Sequence, residues 1–171
     1  MEPVAIFEKQ RYIFGGLFIL SNKLQVIGDR ILEEFTTKQW LLTVVIANCG
    51  DTPPTLREVS EAMGSSHQNV KQLALKLQEK GFLQIEKDER DSRALRLKLT
   101  EKCNSYWKRR QTEDEQFIKN LFNDLNADEL NSMYEGINRL HQKVMKIIDQ
   151  GNLFNQGEGG SISNKNNSNS I

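Results

Sequence analysis

The chain has 171 residues, with 23 basic and 23 acidic side chains and a formal net charge of +0. A neutral whole has no bulk attraction for nucleic acid or an anionic membrane, so a charged partner has to be met through one face only. The length fits one domain with a normal core, expected over residues 1–150, and no apolar run reaches transmembrane length. The opening MEPVAIFEKQ lacks the basic, apolar and small-residue order of a secretory signal. A cytoplasmic protein without a membrane partner is expected. Cys49 and Cys103 form no CxxC pair and read as reduced, buried small hydrophobes.

In chain order, Leu17, Leu20, Leu24, Ile27 and Ile31 step by 3, 4, 3, 4 and predict a long amphipathic helix from about Phe7 to Glu34. Gly15 and Gly16 weaken its start by about 1 kcal/mol each relative to Ala. They allow a kink, a close backbone approach, or a helix that begins after them. Thr36 with Gln39 has the spacing of a capping box and opens TKQWLLTVVIANCG. That segment is almost wholly apolar from Trp40 to Ala47 and is expected to be the most buried helix. Asp51-Thr-Pro-Pro follows as a loop.

Residues Thr55 to Thr100 carry the most information. Thr55 and Glu58 form another capping box, and Leu56, Val59 and Met63 share one face of a short helix. Gly64 supplies a left-handed stop, and Ser65 or Ser66 caps the next helix. In that helix Val70, Leu73, Ala74 and Leu77 fall at i, i+3, i+4 and i+7, and Gly81 ends it. FLQIEK, the charged tip DERDSR and ALRLKLT then predict a hairpin. Period two turns Leu95, Leu97 and Leu99 inward and Arg96 and Lys98 outward. Two helices joined by a short Gly-containing turn, with a hairpin behind them, form a winged helix-turn-helix pattern.

Thr100 caps a further helix running to about Asp124, with Tyr106, Trp107, Phe117, Leu121 and Phe122 as its large apolar residues. Asn126 and Glu129 restart the chain as a last helix. There Leu130, Met133, Ile137, Leu140, Val144 and Ile147 step 3, 4, 3, 4, 3. A seam sustained over six positions favours helix-on-helix packing of coiled-coil type, and a second copy of the chain is its natural cover. Dimerisation residues are expected at Leu17, Leu20, Leu130, Ile137, Leu140 and Val144. The Asn-, Ser- and Gly-rich segment 151–171 cannot build a core and is expected to be disordered.

Position resolves the neutral total. Between Ser65 and Arg110 there are 12 bases and 6 acids, a balance of +6, while the rest of the chain has 11 bases and 17 acids, a balance of −6. A basic module on a neutral chain fits a protein that meets phosphate on one face.

The segment LREVSEAMGSSHQNVKQLALKLQEKGFLQIEKDERDSRALRLKLTEK resembles the MarR family of bacterial winged-helix regulators. The sharpest part is the wing DERDSR, with Asp, Arg, Asp and Arg at fixed spacing, followed by a strand and LTEK. Cys103 stands where the family often has Gly, and Ser92 where Arg or Glu is common. The resemblance points to Ser66 as the cap of the second helix. It implies a mainly α fold with a small β-hairpin wing. A winged helix-turn-helix module, about 37–99, would lie between dimerisation helices at about 7–34 and 100–150. It also implies a homodimer that binds double-stranded DNA at a palindromic operator, represses genes and responds to a small-molecule effector.

On that basis the second helix of the motif leads into the major groove, with Ser66, His67, Gln68, Asn69, Lys71, Gln72 and Lys76 as DNA-binding candidates. Gln and Asn can read adenine by paired hydrogen bonds, while Lys71 and Lys76 hold phosphate. Arg93 is expected in the minor groove, Arg90 on phosphate or on Asp91, and Asp91 as the group that positions an arginine side chain. A candidate effector pocket is assigned to Phe14, Phe18, Trp40 and Trp107.

No Gly-rich phosphate loop, HExxH or GxSxG occurs, so neither catalysis nor a cofactor is expected. His67 and His141 lie on different elements without an acidic or thiol cluster, so no metal site is expected. Two alternatives share the fold. One is a thiol redox sensor using Cys103 near a helix start, although oxidant-sensing members of the family carry the cysteine near the chain start, where this one has none. The other is a helical interaction protein that does not bind DNA.

Overall fold

In chain order the elements are α1 (Ile6–Ile31), α2 (Thr37–Ala47), α3 (Leu56–Ala62), α4 (His67–Glu79), β1 (Leu83–Lys87), β2 (Leu95–Leu99), α5 (Glu101–Leu121) and α6 (Ala127–Gln150). This computed structural model describes residues 5–91 and 93–150. Ser92 and the tail expected to be disordered over 151–171 lie outside the described residues. The fold is mainly helical with one small antiparallel hairpin. The chain divides into two compact units, Met1–Thr112 and Glu113–Ile171, with the boundary inside α5.

In the first unit the core forms around three rings. Phe35 meets Phe82 at 4.7 Å and Tyr106 at 4.6 Å between centroids, both edge-on. Leu42 and Ile46 of α2, Leu56 and Val59 of α3, Val70, Ala74 and Leu77 of α4, Leu83, Leu97 and Cys103 complete it. The ring cluster explains why α1 stops at Ile31 and not near Glu34. Leu32 takes extended backbone (φ −81°, ψ 111°), and this turn lets Leu32 and Phe35 both enter the core. Helix propensity at Glu33 and Glu34 is outweighed by burial of two large apolar groups.

Gly15 and Gly16 lie inside α1 with open space around them, so neither a helix start nor a close approach occurs there. The close approach is at Gly28, where a Cβ would collide with Thr37 Oγ1. Thr37 Oγ1 lies 3.0 Å from Gln25 O and 2.7 Å from Asp29 Oδ1, and Thr37 N donates to Asp29 Oδ1 at 2.6 Å. These bonds hold the Asp29 carboxyl below the usual range and fix the angle at which α2 leaves α1.

α2 opens on the expected capping box, with Thr36 and Gln39 bonding each other's backbone N–H. It buries Gln39, Leu42, Thr43 and Ile46. It is not the most buried helix in proportion, because α3 buries three of its seven residues. Apolar residues surround α2, but only one stripe is fully buried, with Val45 and Trp40 packed against the core at its edges. Trp40 is half-buried and Leu41 exposed.

In the second unit Asn126 Oδ1 accepts from Glu129 N at 3.0 Å, and Glu129 Oε2 accepts from Asn126 N at 2.9 Å. This reciprocal cap starts α6. No residue of α6 is buried. Its stripe of Met133, Ile137, Leu140 and Val144 is exposed, with Leu130 and Ile147 half-buried at its ends.

Candidate nucleic-acid interface

Local bonds set the helix-turn-helix. Thr55 Oγ1 accepts from Glu58 N at 3.2 Å, and Glu58 Oε2 accepts from Thr55 N at 2.6 Å. The second bond, with the Thr55 hydroxyl, holds the Glu58 carboxyl below its usual range. α3 ends at Gly64, whose φ of +58° suits glycine and few other residues. Ser66, not Ser65, caps α4, its Oγ accepting from Asn69 N at 3.2 Å.

α4 buries Val70, Ala74 and Leu77. Leu73, expected in the core, is half-buried beside that stripe. All seven candidates of this segment, Ser66, His67, Gln68, Asn69, Lys71, Gln72 and Lys76, are exposed. They divide between directions, because each residue turns the helix by about 100°. Gln68, Gln72, Leu75 and Glu79 stand opposite the buried stripe. His67 and Lys71 flank them on one side, and Asn69 and Lys76 on the other. Leu75 is absent from the sequence-derived site. Its signal was available, since it is an apolar residue outside the i, i+3, i+4, i+7 series.

The wing pairs Leu83 with Leu99, Ile85 with Leu97 and Lys87 with Leu95. Two aspartates bond the backbone at its tip in the same way. Asp88 Oδ1 accepts from Arg90 N and Asp91 N, both at 2.8 Å, and Asp91 Oδ1 accepts from Arg93 N at 3.0 Å. Each D-x-R triplet therefore folds as an aspartate holding the arginine two residues on by its backbone. The side chains of Arg90 and Arg93 remain exposed. Asp91 was expected to hold an arginine side chain; in the structure it holds the Arg93 backbone.

The carboxylate that grips a guanidinium is the nearly buried Asp88, bonded by Arg96 Nε. Arg96 Nη1 also donates to Pro53 O at 2.5 Å, and Leu97 N donates to Pro54 O at 2.9 Å. Arg96 is thus not the outward base that strand alternation predicts. It ties the wing to the loop before α3. The bonds from Asp91 N, Arg90 N and Arg96 hold the Asp88 carboxyl below the usual range. Lys80 and Lys102 are also engaged internally, donating to Glu34 O at 2.5 Å and Lys80 O at 2.7 Å. Lys71, Lys76, Lys87, Arg90, Arg93 and Lys98 stay exposed around α4 and the wing.

No known family profile matches the sequence, and no curated protein matches it. Solved structures do match. A MarR protein from Peptoclostridium difficile aligns with a TM-score of 0.72 at 17% identity, over 82% of this chain and 92% of that one. The chain has the fold of the MarR transcriptional regulators. S. aureus MepR, solved as a complex with DNA, gives 0.65 at 19% identity over 78% and 96% of the two chains. BpsR of Bordetella bronchiseptica, whose DNA binding is regulated by 6-hydroxynicotinic acid, gives 0.64 at 18% over 75% and 98%.

Within this MarR fold a cavity of about 890 Å³ opens between α1, α2 and α4. Leu17, Leu20, Trp40, Leu41 and Leu73 supply its apolar wall, and Lys38, Asn69, Gln72 and Lys76 its polar wall. Of the four residues assigned to an effector pocket, only Trp40 lines it. Trp107 packs toward the core, 6.2 Å from Trp40 between centroids. Phe14 and Phe18 pair edge-on at 5.2 Å on an exposed face of α1. α1 turns different residues to α2 and to solvent, which its leucine spacing alone did not distinguish.

Cys103 is buried, as expected, and burial raises the pKa of its thiol. Cys49, expected to be buried as well, is exposed because it lies beyond the last turn of α2, and slight desolvation with Glu58 raises the pKa of its thiol. Among the described residues no group of three or more His, Cys, Asp or Glu could hold a metal ion, and no helix is long and apolar enough to cross a membrane.

Proposed function

We propose that the chain is a sequence-specific double-stranded DNA-binding transcriptional regulator. It acts as a homodimer on a palindromic operator and represses until a small molecule releases it. The observation that carries this is the combination on one unit of a groove-sized helix with exposed Gln68, Lys71 and Gln72 and an ordered wing with exposed Arg90 and Arg93. Gln68 and Gln72 read base edges, Lys71 and Lys76 neutralise phosphate, and Arg93 enters an adjacent narrow minor groove. Ser66, His67, Asn69, Arg90 and Asp91 complete the contact surface.

The homodimer is supported by two apolar faces that the single chain leaves open. Leu17 and Leu20 are exposed on α1, and Ile137, Leu140 and Val144 on α6, with Leu130 half-buried. Exposed seams of this length are interfaces. The cavity beside α4 is the proposed effector site. Its polar wall includes Asn69, Gln72 and Lys76, so an occupant there touches the helix that reads DNA. The DNA and ligand associations of MepR and BpsR support both parts.

Selection of bound sequences from random duplex DNA tests the reading. A two-fold motif with half-sites about one helical turn apart is expected. Binding that is neither sequence-selective nor salt-dependent favours the protein-interaction alternative.

A further inference from the structure

From residue 42 to residue 117, Leu75 is the single exposed large hydrophobic side chain among the described residues, at 41% exposure. The other exposed apolar groups sit on α1, at Leu41 of α2, near the end of α5 and on α6. On the surface of α4 Leu75 has no exposed apolar neighbour. Its neighbours on the helix surface are Lys71 and Gln72, four and three residues before it, and Gln78 and Glu79, three and four after it, with Gln68 one turn further back, all exposed. It stands on the outer face opposite Val70, Ala74 and Leu77, at the edge that borders Lys71.

We propose that Leu75 is a specificity-determining residue that packs on the C5 methyl group of a thymine in the major groove. This rests on the DNA-binding reading of α4 and deepens it. The thymine methyl is the one apolar group that base pairs present in that groove. The major-groove edge of an A·T pair presents in one row the adenine N7 and N6, the thymine O4 and the thymine methyl. Gln72 and Leu75, about 5–6 Å apart at Cβ on one helix face, match that pairing of a polar and an apolar feature. Polar side chains at Gln68 and Gln72 cannot distinguish thymine from cytosine by this group. Leu75 can.

The test uses the full chain and the duplex recovered by selection. Each thymine is replaced in turn by deoxyuridine, which removes the methyl and leaves pairing intact. Wild-type protein should lose about fourfold in affinity per methyl at one thymine position in each half-site. Leu75→Ala should bind thymine and deoxyuridine equally at that position and keep wild-type discrimination elsewhere. Leu75→Met should recover part of the preference, and 5-methylcytosine there should bind wild type better than cytosine does.

Equal thymine-to-deoxyuridine ratios for wild type and Leu75→Ala at every position overturn the proposal. So does an equal loss by Leu75→Ala on selected and random duplexes, which would place Leu75 on the sugar-phosphate backbone. Failure of wild type to select any sequence overturns the DNA-binding reading itself, an outcome separate from both. Leu75 is exposed, so thermal unfolding of Leu75→Ala should match wild type.

Discussion

α4 and α6 carry the same apolar rhythm and meet opposite ends. In α4, Val70, Ala74 and Leu77 are fully buried by the core of their own unit. In α6, Ile137 and Leu140 on an equally regular stripe are 47% and 43% exposed. Periodicity states that a face needs cover and is silent about what covers it. For α4 the cover is the rest of its own unit. For α6 the proposed cover is a second copy of the chain.

The sharpest way to break this comparison is to make the same change in both helices. Leu77→Ala should cost about 2–5 kcal/mol in urea unfolding, because it opens a cavity in a filled core, and the loss should not depend on protein concentration. Leu140→Ala should show a loss that shrinks on dilution, since cover supplied by a partner obeys mass action. A concentration-independent loss at Leu140 would mean that its cover lies within one chain.

Next in size is the combined change Ile137→Glu and Leu140→Glu. Two carboxylates placed in a dry seam carry a desolvation cost of several kcal/mol, enough to dissociate an ordinary dimer. Light scattering should report a monomer at micromolar concentration, with unchanged helix content by circular dichroism. Operator affinity should fall with the dimer, while random duplex is bound nearly as before. A double variant that stays dimeric removes α6 from the interface.

How much of this was legible depended on distance along the chain. The capping pairs Thr36 with Gln39, Thr55 with Glu58 and Asn126 with Glu129 are three residues apart, and each forms as its spacing predicts. The strand alternation of Leu95, Leu97 and Leu99 is equally local. What escaped depends on partners far away in sequence. α1 ends early because Phe35 joins Phe82 and Tyr106. Arg96 leaves solvent because Pro53 O and Asp88 both take its guanidinium. The cavity lining depends on how α1, α2 and α4 are set against one another, which no periodicity encodes. The wing tip was readable in principle, since each D-x-R triplet is a known turn chemistry.

A third contrast lies within α4, between a side chain proposed to read bases and one proposed to hold phosphate. Gln72→Ala should relax preference at particular base pairs by about 1–3 kcal/mol. Lys76→Ala should weaken all duplexes nearly equally and reduce the salt slope by about one. Filter-binding titrations at several salt concentrations separate the two. A Gln72 variant that loses selected and random duplex alike would move that residue from reading to holding.

On the wing, Arg93→Ala should lose most affinity for operators with A·T-rich flanks, where the minor groove is narrow and electronegative. Arg93→Lys should recover only part, lacking the planar, weakly hydrated guanidinium. Asp91→Ala should give a weaker version of the same loss, because it releases the Arg93 backbone and leaves the charge in place. Equal losses on A·T-rich and G·C-rich flanks would make Arg93 a phosphate contact.

The smallest effect is expected from acidity, and its sign follows from Asp88. Asp91 N, Arg90 N and Arg96 all bond its ionised form, so its pKa in the folded wing lies below the usual aspartate range. A depressed carboxylate contributes fully at any pH above its unfolded value of about 3.9, and loses that contribution only as pH falls through the lower folded value. Between pH 8 and pH 5 the wing should therefore stay ordered. Asp88→Asn separates its two roles. The amide keeps an oxygen that can accept from Arg90 N and Asp91 N, so the tip should survive, but it loses the charge that holds Arg96 against the Pro53 loop. Operator affinity should drop modestly, and the ratio of wild-type to Asp88→Asn affinity should stay constant from pH 8 to pH 5, because every other titrating group is common to both proteins. A ratio that collapses toward one as pH falls through that window would mean that Asp88 itself is taking up a proton there, and the tip would then not be held by an ionised carboxylate.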